Sequence, residues 1–538
     1  MTAATPAPAR GGVQTVRRLI TYLLLFAMVV IAAIGLSGLL ERLLSAGSTI
    51  AGDDTSGLAQ SLAFSLIAGP LAAALWWLVW RGSGMARDRA SVAWPLYLVL
   101  ASTVSLITFT TGLFSWCAGL VVGTAQPSDL AVGIVWSLVW AWHRWMWRHA
   151  AKGPTRLVGV APAIASLYGL ILGAGGAVSA LGSLLGTALD FLGAVTFGSP
   201  WWQQVLQALV WVVGGGLVWW WHWVHDGVKT QTTGFSRVLL IAVTGFGALG
   251  LTLYGIATTL YLVLRLLFDR SEPLQAMIQP LGNTVAAALI GALILVYHRG
   301  IVATEADAVR QATRLVTSGV ALAVAASGIG VIVNSILAAI GTPLADSGVR
   351  PLLLGGISAL VVGGPVWWAA WRPRIAGDQT RVATPGRRVY LVVVFGVSAA
   401  VALVTLLVIG YQIFAFALEN VSGGSLLDRM RQALGLLSAT LLVAAYHFAL
   451  WRGDRARGDA APARRIDHVI LVTGPGRDGL VSAIREATGA RVTVWHHTRA
   501  DVDPSADEVR AALDGIEADR VLVVTGSEGR VEAIPLAN

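Results

Sequence analysis

From residue 157 to residue 189 the chain runs without a single Asp, Glu, Lys or Arg, and stretches of the same kind recur at 20–40, 59–80, 92–128, 238–264, 273–297, 315–345, 351–371 and 389–418. About 20 such residues, at 1.5 Å of helical rise each, cross the ~30 Å hydrocarbon core of a bilayer. A soluble fold of 538 residues has no interior large enough to hide them. With 12% charged residues and a mean hydropathy of +0.70, the chain belongs in lipid. Runs of spanning length lie near 17–44, 59–81, 92–122, 129–149, 157–188, 201–224, 237–268, 279–299, 313–340, 351–372, 387–417 and 431–452. The expected fold is therefore an all-α membrane bundle of about twelve transmembrane helices in six hairpins.

The net charge of +9 is placed as topology markers, with no patch for nucleic acid. Loops after even-numbered helices carry Arg81, Arg87 and Arg89, then Arg144, Arg148, Lys152 and Arg156, then Lys229 and Arg237. The same side continues with Arg299, Arg310 and Arg314 and with Arg372, Arg374, Arg381, Arg387 and Arg388, while the alternate loops carry about one basic residue each. The positive-inside rule puts both termini in the cytoplasm, as an even number of spans requires. Residues 1–15 read as a disordered lead into an uncleaved first span. Arginine in place of lysine, with 61 glycines, points to a GC-rich bacterial genome and so to the bacterial cytoplasmic membrane. The single cysteine, Cys117, excludes disulfides and cysteine-based metal centres within one chain.

Each even helix closes on one grammar: WWLVWR (76–81), WHRWMWR (142–148), WHWVHD (221–226), YHRG (297–300), WWAAWR (367–372) and YHFALWR (446–452). Most of the 22 tryptophans sit in these endings. Indole prefers the headgroup level, where its apolar face and its N–H each find their medium, so WWWHWVHDG at 219–227 reads as an inner-leaflet belt. Odd helices open on an arginine, as in RRLITYLL, TRLVGV, SRVLLI, TRLVTS and RRVYLV. The period is one hairpin, about 75 residues. On the arginine-led helix followed by one closing on W/Y-H/W and W-R, the chain resembles a bacterial multi-pass family catalogued only as a domain of unknown function. That family repeats a four-helix unit. The resemblance implies three units, at 16–150, 155–300 and 312–452, and brings no activity or site residues with it.

A polar linker, 453–465, leads to a small domain at 466–538. Strands are expected at 467–473, 491–497, 520–525 and 530–535 and helices at 478–488 and 506–516, a β-α-β-α-β-β layer in the cytoplasm. Its GPGRDG, with Gly474, Gly476 and Gly479, matches G-x-G-x-x-G between a strand and a helix, where backbone N–H groups would cradle a phosphate or nucleotide. The second strand ends in His496 and His497 where a ribose-binding acid is wanted, and Asp478 repels phosphate. A tight strand-to-helix turn explains the glycines equally.

His143, His222, His298 and His447 share one depth near the inner leaflet, where imidazoles could ligate haem or a metal, or simply join the aromatic belt. No cofactor is assigned. Proton- and ion-coupled transporters place charge at mid-membrane, and here there is none. Asn334 and Gln412 are the strongest neutral polar candidates, for a polar pathway or for interhelical hydrogen bonds of about 1 kcal/mol. Glycine runs at 173–186 and 213–220 suit tight packing or the thin wall of a pathway. Three classes stay open: a non-enzymatic scaffold or sensor with a cytoplasmic protein partner or small ligand on its tail, a permease or flippase for a neutral or apolar solute, and a histidine-ligated redox protein. The bilayer is the one partner common to all.

Overall fold

The computed structural model describes residues 10–46, 55–82, 91–190, 200–269, 271–341, 348–372, 385–418, 425–460, 466–474, 478–496, 504–516, 518–525 and 530–536. Twelve long helices occur among them: α1 (Arg10–Leu44), α2 (Thr55–Gly82), α3 (Ala93–Val122), α4 (Pro127–Arg148), α5 (Val160–Asp190), α6 (Trp201–His225), α7 (Gly234–Phe268), α8 (Leu281–Thr304), α9 (Asp307–Gly341), α10 (Val349–Trp371), α11 (Pro385–Leu418) and α12 (Leu426–Ala460). Eleven are long and apolar enough to cross a membrane. The exception is α4. Its 22 residues span about 33 Å, but Asp129, His143, Arg144 and a run of tryptophans lower its hydropathy.

The bundle is turned inside out relative to a soluble protein. Leu293, Val296 and Leu407 are 67%, 70% and 68% exposed, while Ala131, Ala163, Ala286 and Ala321 are fully buried. That is the distribution a bilayer would favour: its tails are as apolar as leucine, so nothing would drive large side chains inward, and small ones let helices approach. A Cβ on Gly176 of α5 would lie 2.8 Å from the Val212 nitrogen of α6. On Gly328 of α9 it would lie 2.6 Å from the Leu360 nitrogen of α10. The glycine runs of α5 and α6 thus face each other as a packed seam.

Two boundaries differ from the expectation. Helix α1 begins at Arg10, inside the stretch expected to be disordered. Helix α12 continues to Ala460, through most of the expected linker. Its added turns hold two Arg and two Ala, which favour helix, beside two Gly and two Asp, which do not, and Arg387 Nε donates to Asp454 Oδ2 at 2.9 Å.

The structure divides into two bodies, Met1–Gly377 with Val392–Ala445, and Asp378–Leu391 with Tyr446–Asn538. In the second, β1 (His468–Thr473), α13 (Asp478–Thr488), β2 (Arg491–His496), α14 (Ala506–Leu513), β3 (Arg520–Thr525) and β4 (Val531–Leu536) follow α12. The sheet order is β2-β1-β3-β4, with β4 antiparallel to β3 and the other pairs parallel. Val469, Leu471, Val521 and Val523 meet Leu480 and Ile484 of α13 and Val509 and Leu513 of α14 in one core. Both helices therefore cover the same face. The two crossovers run in opposite directions along the sheet and so have opposite hands, against the usual right-handed preference.

Candidate functional site

In WWWHWVHDG the α-helix widens to a π turn over Trp221–His225, Asp226 N–H donates to the Trp221 carbonyl at 2.9 Å, and Gly227 ends the helix at φ 73°. Glycine is the residue that adopts this left-handed value without strain. His222 and Trp223 both face inward, while Trp220, Trp221 and Val224 face out. His222 bonds through Nδ1 to the Val218 carbonyl at 2.9 Å, which fixes the proton on Nδ1 because a carbonyl can only accept. Its Nε2 lies 3.8 Å from Asp226 Oδ2.

Asp226, with 5% of its side chain exposed, is the centre of the arrangement. Its Oδ1 accepts from Arg144 Nη2 at 2.6 Å and Arg148 Nη2 at 2.8 Å, one turn apart on α4. Oδ2 accepts no hydrogen bond. Trp140, Arg144, His222 and Ser102 line an adjoining cavity of about 30 Å³. That is room for water alone. The clamp ties the end of α4 to the end of α6. Neutral groups tie α3 to α5 and α6 as well: Tyr168 Oη lies 2.8 Å from Thr110 Oγ1, and Gln207 Nε2 donates to the Ala118 carbonyl at 3.3 Å.

His143 and His298 repeat the local bond. Nδ1 of His143 lies 2.7 Å from the Val139 carbonyl and that of His298 2.8 Å from the Ile294 carbonyl. With Nδ1 protonated, His143 Nε2 accepts from Tyr97 Oη at 2.9 Å. His447 is fully buried, its ring 5.9 Å from that of Tyr390. His298 borders a cavity of about 10 Å³ walled by Leu239, Leu240, Trp219 and Trp223. Each imidazole is held by its own surroundings. Among the described residues no three His, Cys, Asp or Glu side chains gather as a metal site would require.

The tryptophan endings divide in two. Trp77, Trp145, Trp220 and Trp368 are half exposed or more, as a belt at a lipid boundary would be. Trp76 and Trp142 instead pack against a buried cluster of Tyr22, Trp94, Tyr97 and Met146, and Trp76 Nε1 donates to Met146 Sδ at 3.1 Å. Trp223 Nε1 donates to Tyr297 Oη at 2.9 Å.

The recurrence of this ending has a counterpart among known families. The model for a domain of unknown function, DUF5671, matches three times, over residues 18–142, 160–297 and 311–446. The chain belongs to that family. Each DUF5671 match spans four helices and stops one residue before a histidine, at Trp142, Tyr297 and Tyr446. His143, His298 and His447 are thus one position seen three times, and the Asp226 clamp joins the first DUF5671 unit to the second. No curated protein and no solved structure matches the chain.

In the third unit Asn334 of α9 accepts from Arg431 Nη1 of α12 at 3.3 Å, an interhelical bond whose donor is charged. Gln412 of α11 makes no such bond through its carbonyl: Oε1 is buried without a partner. It lines an open cleft of about 500 Å³ with Val404, Thr405 and Val408 of α11 and Gln432 and Leu436 of α12. In the sheet domain Gly474 is buried at the end of β1 and Gly479 is exposed, with open space where a Cβ would stand. Gly476 lies outside the described residues.

Sequence reasoning missed Tyr97 and the pairing of Arg144 and Arg148 with Asp226. The signal was present: two arginines four apart at one helix end, and one acid closing another.

Proposed function

We propose that this chain is a multi-pass protein of the bacterial cytoplasmic membrane, all twelve long helices spanning and both termini inside. It works as a non-enzymatic scaffold that binds a partner or senses a ligand through its sheet domain. The observation that carries this reading is the Asp226 clamp. Its buried carboxylate fastens one family unit to the next, and the cavity beside it is far below the several hundred Å³ of a small-molecule pocket. Reporter fusions after residues 85, 230 and 375 test the placement and are expected to read cytoplasmic. For the role, photo-crosslinkers on the sheet domain in living cells are expected to trap one discrete partner, lost when 466–538 is deleted. Purified protein with a Soret band, or with turnover abolished by Asp226→Asn, overturns it.

The cleft beside Gln412 favours a second reading, a permease or flippase for a neutral or apolar solute. A bilayer-facing groove with apolar walls and two amides needs no buried charge to bind such a molecule. Proteoliposomes that move a neutral amphiphile, and stop with Gln412→Leu, would replace the scaffold reading.

A further inference from the structure

With both helices on one face, the other face of the C-terminal sheet has no layer over it within its own fold. The strand register defines its rows. Arg491, His468 and Arg520 stand side by side, then Thr493, Ile470, Leu522 and Ile534, then Trp495, Val472, Val524 and Glu532. Its centre is apolar. Trp495 is 58% exposed and Ile534 38%.

Charge is divided between the two sides of the layer. The open face carries Arg491 and Arg520 against Glu532, and neither arginine is in an ion pair among the described residues. Helices α13 and α14 carry Asp478, Glu486, Asp507 and Glu508 against Arg485 and Arg510. Arg510 is already bound to Asp507 at 2.8 Å and Glu486 at 3.2 Å. A negatively charged plane would therefore draw the sheet face toward it and push the helix layer away.

The tether permits the approach. From Trp451 to Ala460 the helix climbs about 13 Å. The five residues 461–465 reach up to about 17 Å, enough to return. Two of them, Arg464 and Arg465, add basic charge. A second copy fits less well. Four six-residue strands offer about 400 Å² at ~4.8 Å strand spacing, against ~800 Å² a side in a stable pair. It would also set four arginines against two glutamates.

We infer that the open sheet face docks on the anionic lipid surface of the same membrane, with Trp495 and Ile534 in the headgroup layer and Arg491 and Arg520 on lipid phosphates. Tethering raises the effective concentration, so a small patch suffices. The inference rests on the cytoplasmic, membrane-anchored placement proposed above.

The test uses the full chain with Cys117→Ala and one fluorophore at Thr493→Cys on the open face or Glu486→Cys on the helix layer. It is placed in nanodiscs with nitroxide-headgroup lipid, of phosphatidylglycerol with phosphatidylcholine or of phosphatidylcholine alone. Quenching is expected at 493 and not at 486, only in the anionic discs, and is expected to fade in molar salt. Arg491→Gln with Arg520→Gln should lower the docked-to-free ratio about thirtyfold, at two charges near an anionic leaflet. The lipid and salt arms need no arginine variant, so misfolding of that variant cannot decide the outcome. Equal quenching at both positions, no quenching in any disc, or shielding at 493 that appears only with two copies per disc overturns the inference. An impermeant thiol reagent on intact cells separates the two failures: labelling at 493 from outside defeats the placement itself, whereas an inside label that is never quenched defeats the docking alone.

Discussion

The second hairpins of the three family units share one pattern of long apolar helices, yet they close differently. In the first unit a Cβ on Gly112 of α3 would lie 2.8 Å from the Asp129 carbonyl of α4, and in the second a Cβ on Gly291 of α8 would lie 2.7 Å from the Thr252 nitrogen of α7. In the third, Gly396 and Gly410 of α11 have nothing within 4 Å. The cleft beside Gln412 lies along that same stretch. A glycine in such an apolar helix closes a seam only where the facing backbone comes to meet it. In the third unit α9 and α10 still meet at Gly328, but α11 keeps its glycines without the approach, and an amide oxygen on it is left without a partner.

The largest effect is expected from filling a closed seam. Gly291→Leu should cost about 3 kcal/mol or more by overpacking backbone against backbone, while Gly410→Leu should change the melting temperature in detergent hardly at all. Equal losses would mean that the third seam is closed too. Next comes the junction of the closed units. Asp226→Asn leaves Arg144, 17% exposed, beside a group that no longer neutralises it, and about 3 kcal/mol of stability should go with it. A loss under 0.5 kcal/mol would show that the clamp is only a surface pair.

Tyr97→Phe removes the donor to His143 Nε2 inside the first unit and should lower stability by about 1–2 kcal/mol. No change in thermal unfolding would mean that the imidazole has another donor. The smallest effect belongs to the open seam. Gln412→Leu should fall within about 0.5 kcal/mol of the parent or raise stability, since it replaces an unpartnered oxygen with hydrocarbon. A clear loss would reveal a bonding partner for that amide.

Much of this was legible in the residues. Charge-free runs of spanning length read as helices, since lipid offers a backbone no other partner, and the small-residue runs of α5 and α6 offered a tight seam or a pathway wall, of which the folded chain has the seam. The repeat could be seen at the histidines, where each family match stops. Other features were beyond a pattern of residue types. The endings look alike on paper, yet Trp77 and Trp76 part company, one toward the boundary and one toward Met146, because neighbours on a helix point 100° apart. The π turn over Trp221–His225 has no signature in WHWVH. Asn334 promised an interhelical bond, but its donor is Arg431, a charged residue at the start of the expected twelfth span.

What the chain of residues established alone is the length of its apolar segments and the periodicity: oily segments, aromatic and arginine endings, three repeats and a small α/β tail. These follow from transfer free energies and helical rise, which are local properties. Which repeat fastens to which, which seam stays open and which face of the tail is uncovered were settled by the folded molecule. Those outcomes depend on distances between residues tens of positions apart, such as Arg144 and Asp226, and short-range rules carry no information about them.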